Sequence, residues 1–246
     1  MKPILILKTG EFSRRLISRF GHAEQAFVDV LGGGQCSVVD ARKEKLPEPD
    51  WAGIVVTGSA ASANDTNAWI AKSEDFIQRA AENSVPIYGV CFGHQHVART
   101  FGGRVEKNPR GWELGTARVT LTEEGQQNAL FASVPKSFLA QESHGEIVAA
   151  LPPGAQALAH NDNSAHQAFS LGDRIWGTQF HPEYTPAYME VLVALHTAAL
   201  PSESFPQWPS NEGSLQEWIS KTIRNTPAAQ RCLINFASIV AERLRS

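Results

Sequence analysis

The segment VPIYGVCFGHQHV, over Val85–Val97, places a cysteine where an apolar run gives way to a helical pattern. Its centre, Gly89–Gly93, has the form G-x-C-x-G, the cysteine version of the strand–turn–helix nucleophile elbow. Such a turn holds the side chain above the strand end, and the first amides of the following helix stabilise a thiolate. We therefore predict that Cys91 is a nucleophile. The alternative is a buried structural cysteine, because an isolated glycine motif is weak evidence.

A base for that cysteine is predicted in the segment WGTQFHPEY, at the end of another apolar run. Thiolate chemistry on an amide needs a group that exchanges protons with the nucleophile and with the leaving amine. His181 lies where open parallel sheets collect their functional groups, and Glu183 follows two residues later. A carboxylate at that spacing orients an imidazole and favours its cation, which would complete a Cys–His–Glu triad. Without the elbow, the same segment would be interpreted as a surface turn.

A third segment, VVTGSAASAND, is a further apolar run that ends in small residues. The backbone amides of Gly58 and Ser59, together with the amide of Phe92, are predicted to donate to an oxyanion. An ordinary turn and a phosphate-binding loop are the alternatives. The segment lacks the Lys-Ser/Thr ending of a P-loop, so nucleotide binding is disfavoured.

Alternating strand and helix patterns surround these segments. Short apolar runs predict buried strands, and apolar residues three and four apart predict helices. This alternation is typical of an α/β fold with a mostly parallel sheet covered by helices on both faces. The predicted strands are Ile4–Leu7, Ser37–Val39, Gly53–Thr57, Pro86–Val90 and Ile175–Phe180, and the predicted early helices are Ala23–Leu31 and Ala68–Ala81.

The pattern changes twice further along the chain. Between residues 115 and 180, short alternating runs such as TARVTLT and HQAFSLG predict antiparallel strands at the far side of the sheet. A helix over Tyr188–Leu200 closes this part, and a Pro- and Ser-rich segment then leads to helical patterns over Leu215–Ile223 and Ala229–Leu244. We predict one domain over residues 1–200 and a C-terminal helical extension over residues 201–246, which is too short for a large core of its own.

The composition excludes several classes of function. The 246 residues carry a net charge of −3, so there is no basic field for nucleic acid. The three cysteines are widely spaced without a C-x-x-C pair, which argues against a disulfide framework or a zinc knuckle and favours a reducing compartment. The apolar run before Lys8 is too short for a signal peptide or a membrane span. These features predict a soluble, cytoplasmic protein.

Together, PIYGVCFGHQ, GTQFHPE and VVTGSAAS resemble the signature blocks of class I (triad) glutamine amidotransferase domains. The resemblance covers about residues 1–200 and is nearest to stand-alone members related to the amidotransferase part of GMP synthase. It implies a flavodoxin-like three-layer α/β/α fold. It also implies hydrolysis of the side-chain amide of glutamine through a cysteine γ-glutamyl thioester, giving glutamate and ammonia, without a cofactor.

The resemblance also implies roles at individual positions. Cys91 would be the nucleophile, His181 the general acid and base, and Glu183 its orienting partner. Glutamine would be held through its α-amino and α-carboxylate groups by Gln95, Ser143, His144 and Gly145. No ATP-pyrophosphatase loop occurs in the chain, so an ammonia acceptor would be a separate synthetase subunit, or there would be none.

Two segments qualify this resemblance. Asn108–Gly115 (NPRGWELG) matches a segment of stand-alone relatives, and we place it beside the pocket without a chemical step. The family commonly has Gly-Gly-Pro where this chain has Gly58-Ser59-Ala60. A backbone flip that needs positive φ is less favourable at a serine than at a glycine.

Two other functions stay open at this point. The same triad could cleave γ-glutamyl bonds in peptides or other amides, and an open leaving-group side would distinguish that activity from ammonia release. The third possibility is a regulatory module that binds substrate without turning it over, against which the intact Cys91, His181 and Glu183 argue.

Other residues are assigned structural roles. His94 and His96 are two apart on a predicted helix and point in different directions, so we predict no metal site there. Trp208 and Trp218 are expected to hold the tail onto the main domain, with a docking surface for a partner as the alternative.

Overall fold

The computed structural model describes residues 2–32 and 36–245, so Met1 and Ser246, the outer limits of the two predicted domains, lie outside the described residues. The strands are β1 (Ile4–Lys8), β2 (Cys36–Asp40), β3 (Gly53–Val56), β4 (Ile87–Val90), β5 (Arg104–Lys107), β6 (Glu113–Leu121), β7 (Ser137–His144), β8 (Glu146–Ala150), β9 (Ala155–His160), β10 (Ala168–Leu171) and β11 (Ile175–Thr178). The helices are α1 (Arg14–Phe20), α2 (Gln25–Leu31), α3 (Ala68–Glu82), α4 (Phe92–Thr100), α5 (Glu123–Gln127), α6 (Pro186–Ala199), α7 (Leu215–Ser220) and α8 (Pro227–Arg243).

A nine-stranded sheet has the order β2-β1-β3-β4-β11-β10-β9-β6-β7, and β5 pairs with β8 apart from it. The strands β2, β1, β3, β4 and β11 are parallel to their neighbours and follow the strand order of a flavodoxin-like sheet. This parallel sheet between helices is the predicted one, and the prediction is confirmed. β11 pairs directly with β4, placing Thr178 opposite Val90 even though most of the antiparallel strands lie between them in sequence.

The two faces of the parallel sheet pack against different helices, since successive side chains of a strand point to opposite sides. On one face, Leu5 and Leu7 of β1 belong to a buried cluster with Phe76 of α3 and Val97 of α4. On the other face, alternate residues of the same strands pack against α2 and α8. The result is a three-layer α/β/α arrangement with β4, and hence the turn that follows it, in the middle.

The antiparallel strands extend the sheet beyond β11, as the alternating runs predict. β6 pairs with β9 only at Thr120 and Leu121, whereas it pairs with β7 over eight residue pairs. The β6–β7 ribbon therefore leaves the sheet along most of its length. Within β7, Gln141 forms an isolated antiparallel bridge with His181, which connects the ribbon to the segment after β11.

The tail helices pack onto the rest of the chain. α8 buries Leu233, Phe236 and Val240 in the same cluster as β1 and β3, so it completes one face of the central sheet. Trp208 and Trp218 are partly buried against the cluster that contains α6 and α7, which is the packing expected for them. The division of the chain at residue 200 stays a prediction. Within the described ranges, no helix has the length and apolar character needed to cross a membrane.

Candidate active site

Cys91 occupies a strained turn between β4 and α4. Its φ of 55° and ψ of −106° lie in a region that residues other than glycine rarely adopt. Two backbone hydrogen bonds hold the turn: the Cys91 amide donates to the Thr178 carbonyl at 2.8 Å, and the Gln95 amide donates to the Cys91 carbonyl at 3.1 Å. The surrounding structure thus fixes a conformation that an isolated chain would avoid.

The two glycines of the elbow are required by close backbone packing. A Cβ atom on Gly89 would lie 2.3 Å from the carbonyl oxygen of Gly93. A Cβ on Gly93 would lie 2.1 Å from the carbonyl oxygen of Val56, at the end of β3. Both distances are far inside van der Waals contact, so glycine at these positions lets α4 start directly against the strand ends.

His181 and Glu183 form a buried pair just beyond β11. The His181 amide donates to the Gln141 carbonyl at 2.8 Å, which ties this segment to β7. The imidazole Nδ1 lies 2.7 Å from Oε1 of Glu183. The ring of Tyr184 stacks on the imidazole with a centroid distance of 3.9 Å and an interplanar angle of 5°. These contacts fix the plane of the imidazole and leave its second nitrogen for another partner.

Cys91 is that partner. Burial alone would favour the neutral ring of His181, but the charges of Glu183 and Cys91 and hydrogen bonds to them raise the pKa of His181 to about 10. The loop after β3 closes the same space, since a Cβ on Gly58 would lie 3.1 Å from His181 Cε1 and 3.8 Å from Cys91 Cβ. The three segments selected from the sequence therefore converge on one point.

The loop after β3 is held by the loop after β1. The Thr9 hydroxyl donates to the Thr57 carbonyl at 2.8 Å, and a Cβ on Gly10 would lie 2.5 Å from the Gly58 carbonyl oxygen. Neither Gly58 nor Ser59 has a positive φ. Within the described part of the chain, the amides of Gly58, Ser59 and Phe92 donate to no acceptor. Their role as oxyanion donors stays a prediction.

His144 is locked by two buried carboxylates. The β6–β7 register places Glu113 opposite His144, and the two-residue period of β7 puts Glu142 on the same side. The imidazole Nε2 lies 3.1 Å from Glu113 and 3.3 Å from Glu142, and Nδ1 donates to the Glu146 carbonyl at 3.0 Å. Both imidazole nitrogens are thus occupied, so His144 is not free to act as a base, and its place in substrate binding stays a prediction.

The electrostatics of this cluster are asymmetric. Burial opposes charge on His144, but its hydrogen bonds and charge interactions with both carboxylates raise its pKa to about 10. Complete burial and the nearby Glu113 raise the pKa of Glu142 to about 7. One cation therefore faces two carboxylates, of which Glu142 readily takes up a proton near neutral pH.

Replacing Glu142 with glutamine is expected to change the pH dependence of the free energy of unfolding. Because the pKa of Glu142 is raised from 4.5 to about 7, the folded protein favours its acid form and loses stability as the pH rises through that interval. Glutamine has no such ionisation. As the pH rises from about 5 to about 8, the free energy of unfolding of the variant should therefore increase relative to that of the wild type, by up to about 3 kcal/mol.

Urea unfolding at both pH values measures this difference. The same substitution at the exposed Glu124 is the control and should leave the pH dependence unchanged. An equal stability difference at the two pH values would contradict a raised pKa at Glu142.

The other predicted binding residues line a polar cavity of about 430 Å³. The Gln95 side-chain nitrogen donates to the Glu146 carbonyl at 2.8 Å and to Oε1 of Gln179 at 3.0 Å, so its own oxygen remains as an acceptor. The Ser143 carbonyl lies 3.8 Å from the Cys91 sulfur. A Cβ on Gly145 would lie 2.5 Å from Nε1 of Trp112, which explains a glycine there.

A second cavity of about 440 Å³ meets the first at Cys91 and has mainly apolar and aromatic walls. We call it the aromatic cavity and the first one the polar cavity. Cys91, Ser143 and Trp112 line both, and the Ser59–Ala60 turn contributes to both as well. Asn108, Gly111 and Trp112 also line the polar cavity, which places the NPRGWELG segment beside the pocket, as expected.

His94 and His96 face different neighbours on opposite sides of α4. The His94 ring packs against Phe169 of β10, and burial lowers its pKa to about 3. The His96 Nε2 lies 2.8 Å from the Ser73 hydroxyl of α3. The two rings are thus separate packing groups, in agreement with their spacing.

The aromatic wall of the site was not predicted from the sequence. Tyr184 and Tyr188 stand four residues apart immediately after the His-Pro-Glu segment, which is the one local pattern that could have indicated them. Phe12 comes from the distant loop after β1, where its ring lies 4.9 Å from that of Tyr188. Glu113 was likewise not recognised, because its contact with His144 depends on strand register.

Comparisons with known proteins show the family to which this chain belongs. The family model "Glutamine amidotransferase class-I" matches residues 28–193. Gamma-glutamyl peptidase 4 of Arabidopsis thaliana is 30% identical over 193 residues, which cover 74% of this chain and 76% of the relative. A glutamine-hydrolyzing GMP synthase of Thermosipho africanus is 32% identical over 186 residues, covering 75% of this chain and 33% of the relative. This chain thus spans about a third of the length of that GMP synthase.

Solved structures show the same fold at low sequence identity. A glutamine amidotransferase from Thermotoga maritima has a TM-score of 0.75 and 17% identity, covering 98% of this chain and 99% of that one. A glutamine amidotransferase from Methylobacillus flagellatus has a TM-score of 0.76 and 23% identity, covering 100% of this chain and 95% of that one. The predicted fold is confirmed over the whole architecture.

Proposed function

Because the chain belongs to the class-I glutamine amidotransferase family, we propose that it hydrolyses γ-glutamyl amides, with the side-chain amide of glutamine as the simplest substrate. The observation that carries this proposal is the strained Cys91 elbow beside the buried His181–Glu183 pair. A positive φ on a cysteine is costly and is retained where a function depends on it. The enzyme would use a Cys–His–Glu triad, and its predicted cytoplasmic location belongs to the same proposal.

In the acylation step, the Cys91 thiolate attacks the amide carbon. The carbon–sulfur bond forms, the oxygen becomes an oxyanion, and the free amides of Gly58, Ser59 and Phe92 donate to it. When the carbon–nitrogen bond breaks, the imidazolium of His181 gives its proton to the leaving nitrogen. The products are a γ-glutamyl thioester and ammonia or an amine.

In the second step, water hydrolyses the thioester. The now neutral imidazole of His181 takes a proton from water as the oxygen attacks the thioester carbon. Cleavage of the carbon–sulfur bond then releases glutamate and restores the Cys91 thiolate beside the imidazolium. Glu183 acts by holding the ring and stabilising its cation, which the raised pKa of His181 supports.

The polar cavity would hold the amino-acid end of the substrate. Its carbonyl groups and the oxygen of Gln95 are acceptors that suit an α-ammonium group. The Ser143–Gly145 turn, fixed by the charge cluster of His144, would contact the α-carboxylate through its backbone and the Ser143 hydroxyl. A separate synthetase subunit that accepts ammonia is a proposed partner, in line with the similarity to part of GMP synthase.

Intact-protein mass after brief incubation with 6-diazo-5-oxo-L-norleucine, a reactive glutamine mimic, tests the proposal. We expect one adduct, located on the peptide that contains Cys91, and release of ammonia from L-glutamine in a parallel assay. An adduct without ammonia release would indicate that Cys91 is a reactive nucleophile and that the enzyme prefers another γ-glutamyl substrate or needs a partner. Absence of any adduct on Cys91 would overturn the assignment.

A further inference from the structure

The two cavities meet at Cys91, so the two parts of a substrate on either side of the cleaved bond would lie in different cavities. Gln95, His144 and Gly145 line only the polar cavity, whereas His181 lines only the aromatic cavity. The leaving nitrogen must receive its proton from His181, so it departs on the side of the aromatic cavity. The γ-glutamyl group stays on the other side, attached to sulfur.

The aromatic cavity is far larger than ammonia requires. Its volume of about 440 Å³ is in the range of sites that bind small organic ligands. Ammonia is close in size to water, whose share of liquid volume is about 30 Å³. A site that released only ammonia would leave most of this space without a function.

The walls of the cavity favour an apolar group with an aromatic ring. Phe12, Tyr184 and Tyr188 are in ring contact with one another, with centroid distances between 4.2 and 6.3 Å. Leu192 and Leu195 of α6 line the same space. Aromatic rings bound in such a setting gain from both burial and edge or stacking contacts.

Charge in the cavity argues against a carboxylate on the leaving group. Among the described residues that line it, none is a lysine or an arginine. The carboxylate of Glu11 is already bound by Lys8 and His22, and the imidazole of His196 donates to the Leu192 carbonyl at 3.0 Å. An amino-acid leaving group would bring in a negative charge, and the His181 cation, which lines the cavity, is already paired with Glu183 and with the Cys91 sulfur.

We infer that the aromatic cavity is the leaving-group subsite, and that the chain cleaves γ-glutamyl amides of apolar, ring-bearing amines that carry no carboxylate. This inference rests on the proposed function. The leaving group on the His181 side is then an amine, whereas a glutamine-specific enzyme would release ammonia there.

Three synthetic amides test the inference on the full chain. L-γ-glutamyl-phenethylamide carries a ring, L-γ-glutamyl-ethylamide lacks it, and L-γ-glutamyl-L-phenylalanine adds a carboxylate to it. The ring of phenethylamine is two carbons from nitrogen, so its amide differs little from the ethylamide in chemical reactivity. We expect kcat/KM for the phenethylamide to exceed that for the ethylamide by about tenfold or more, because a phenyl group is buried.

The phenethylamide should also exceed the phenylalanine compound by about tenfold or more, since an unpaired carboxylate must be desolvated. Equal or better turnover of the ethylamide, or of glutamine, would overturn the leaving-group subsite. Better turnover of the phenylalanine compound would overturn the class of amine. Labelling of Cys91 with turnover of glutamine alone would refute this inference and leave the proposed function intact, whereas no labelling and no turnover would refute both.

A matched pair of variants on α6 adds a structural test. Leu195→Trp fills the cavity and should lower the phenethylamide-to-ethylamide ratio of kcat/KM by about tenfold. Ala198→Trp, on the same helix but exposed and outside the cavity lining, should leave that ratio unchanged. An unchanged ratio in a folded Leu195→Trp protein would contradict the assignment, and thermal unfolding of both variants establishes that they are folded.

Discussion

Replacing Cys91 with alanine is expected to abolish turnover of every γ-glutamyl substrate, with a loss of about 10⁴-fold or more. Without the sulfur there is no thioester, and the remaining groups can only hold the substrate and polarise its carbonyl. The fold should survive, because alanine keeps the Cβ atom and the backbone bonds of the elbow do not involve the sulfur. Ammonia and amine release, together with adduct formation by the diazo-ketone mimic, measure the loss.

Cys36→Ala provides the control for this experiment. Cys36 is a half-buried thiol at the start of β2, on the far side of β1 from the elbow. The control should keep both activity and the adduct. If Cys91→Ala retained more than a few per cent of wild-type turnover while binding substrate normally, another group would have to be the nucleophile.

Replacing His181 with alanine should reduce kcat/KM by about 10⁴-fold or more, and Glu183→Gln should cost about 10- to 100-fold less than that. The imidazole moves protons in both steps, whereas the carboxylate orients the ring and stabilises its charge. The 2.7 Å contact between Nδ1 and Glu183 can persist with glutamine as a neutral hydrogen bond. If Glu183→Gln were the more damaging change, the carboxylate would need a direct chemical role.

The pH profile separates these two roles. Glu183 and Cys91 hold the pKa of His181 near 10, so the imidazolium persists into alkaline solution in the wild-type protein. Removing the Glu183 charge lowers that pKa toward 6.5, so the alkaline limb of kcat/KM should move to lower pH in Glu183→Gln. An alkaline limb at the same pH in both proteins would contradict the ion-pair role of Glu183.

Local patterns predicted the elements of the parallel sheet well. The runs over Ile4–Leu7 and Gly53–Thr57 differ from β1 and β3 by one residue at the end. The helix predicted from Tyr188 begins two residues earlier in the structure, at Pro186, where the Thr185 side chain accepts from the Tyr188 amide. The boundary was missed because a cap involves hydrogen-bond geometry more than hydrophobic period.

The chemistry of the site is encoded mainly in short segments. Gly89 and Gly93 specify an elbow around Cys91 because the tight strand-to-helix turn leaves no room for a Cβ atom at either glycine, and His181 and Glu183 form a pair two residues apart. Each segment needs only its nearest neighbours to be recognised. For this reason the sequence alone determined the parallel α/β sheet and the residues that could do chemistry.

Only the tertiary structure decided how those segments meet and what surrounds them. β11 lies beside β4 because of sheet pairing between distant parts of the chain, and the β6–β7 register alone brings Glu113 to His144. The aromatic cavity is built from the loop after β1, the segment after β11 and α6, so no single stretch of sequence displays it. The shape of this cavity depends on packing between distant segments, so the leaving-group subsite could not be predicted from the sequence.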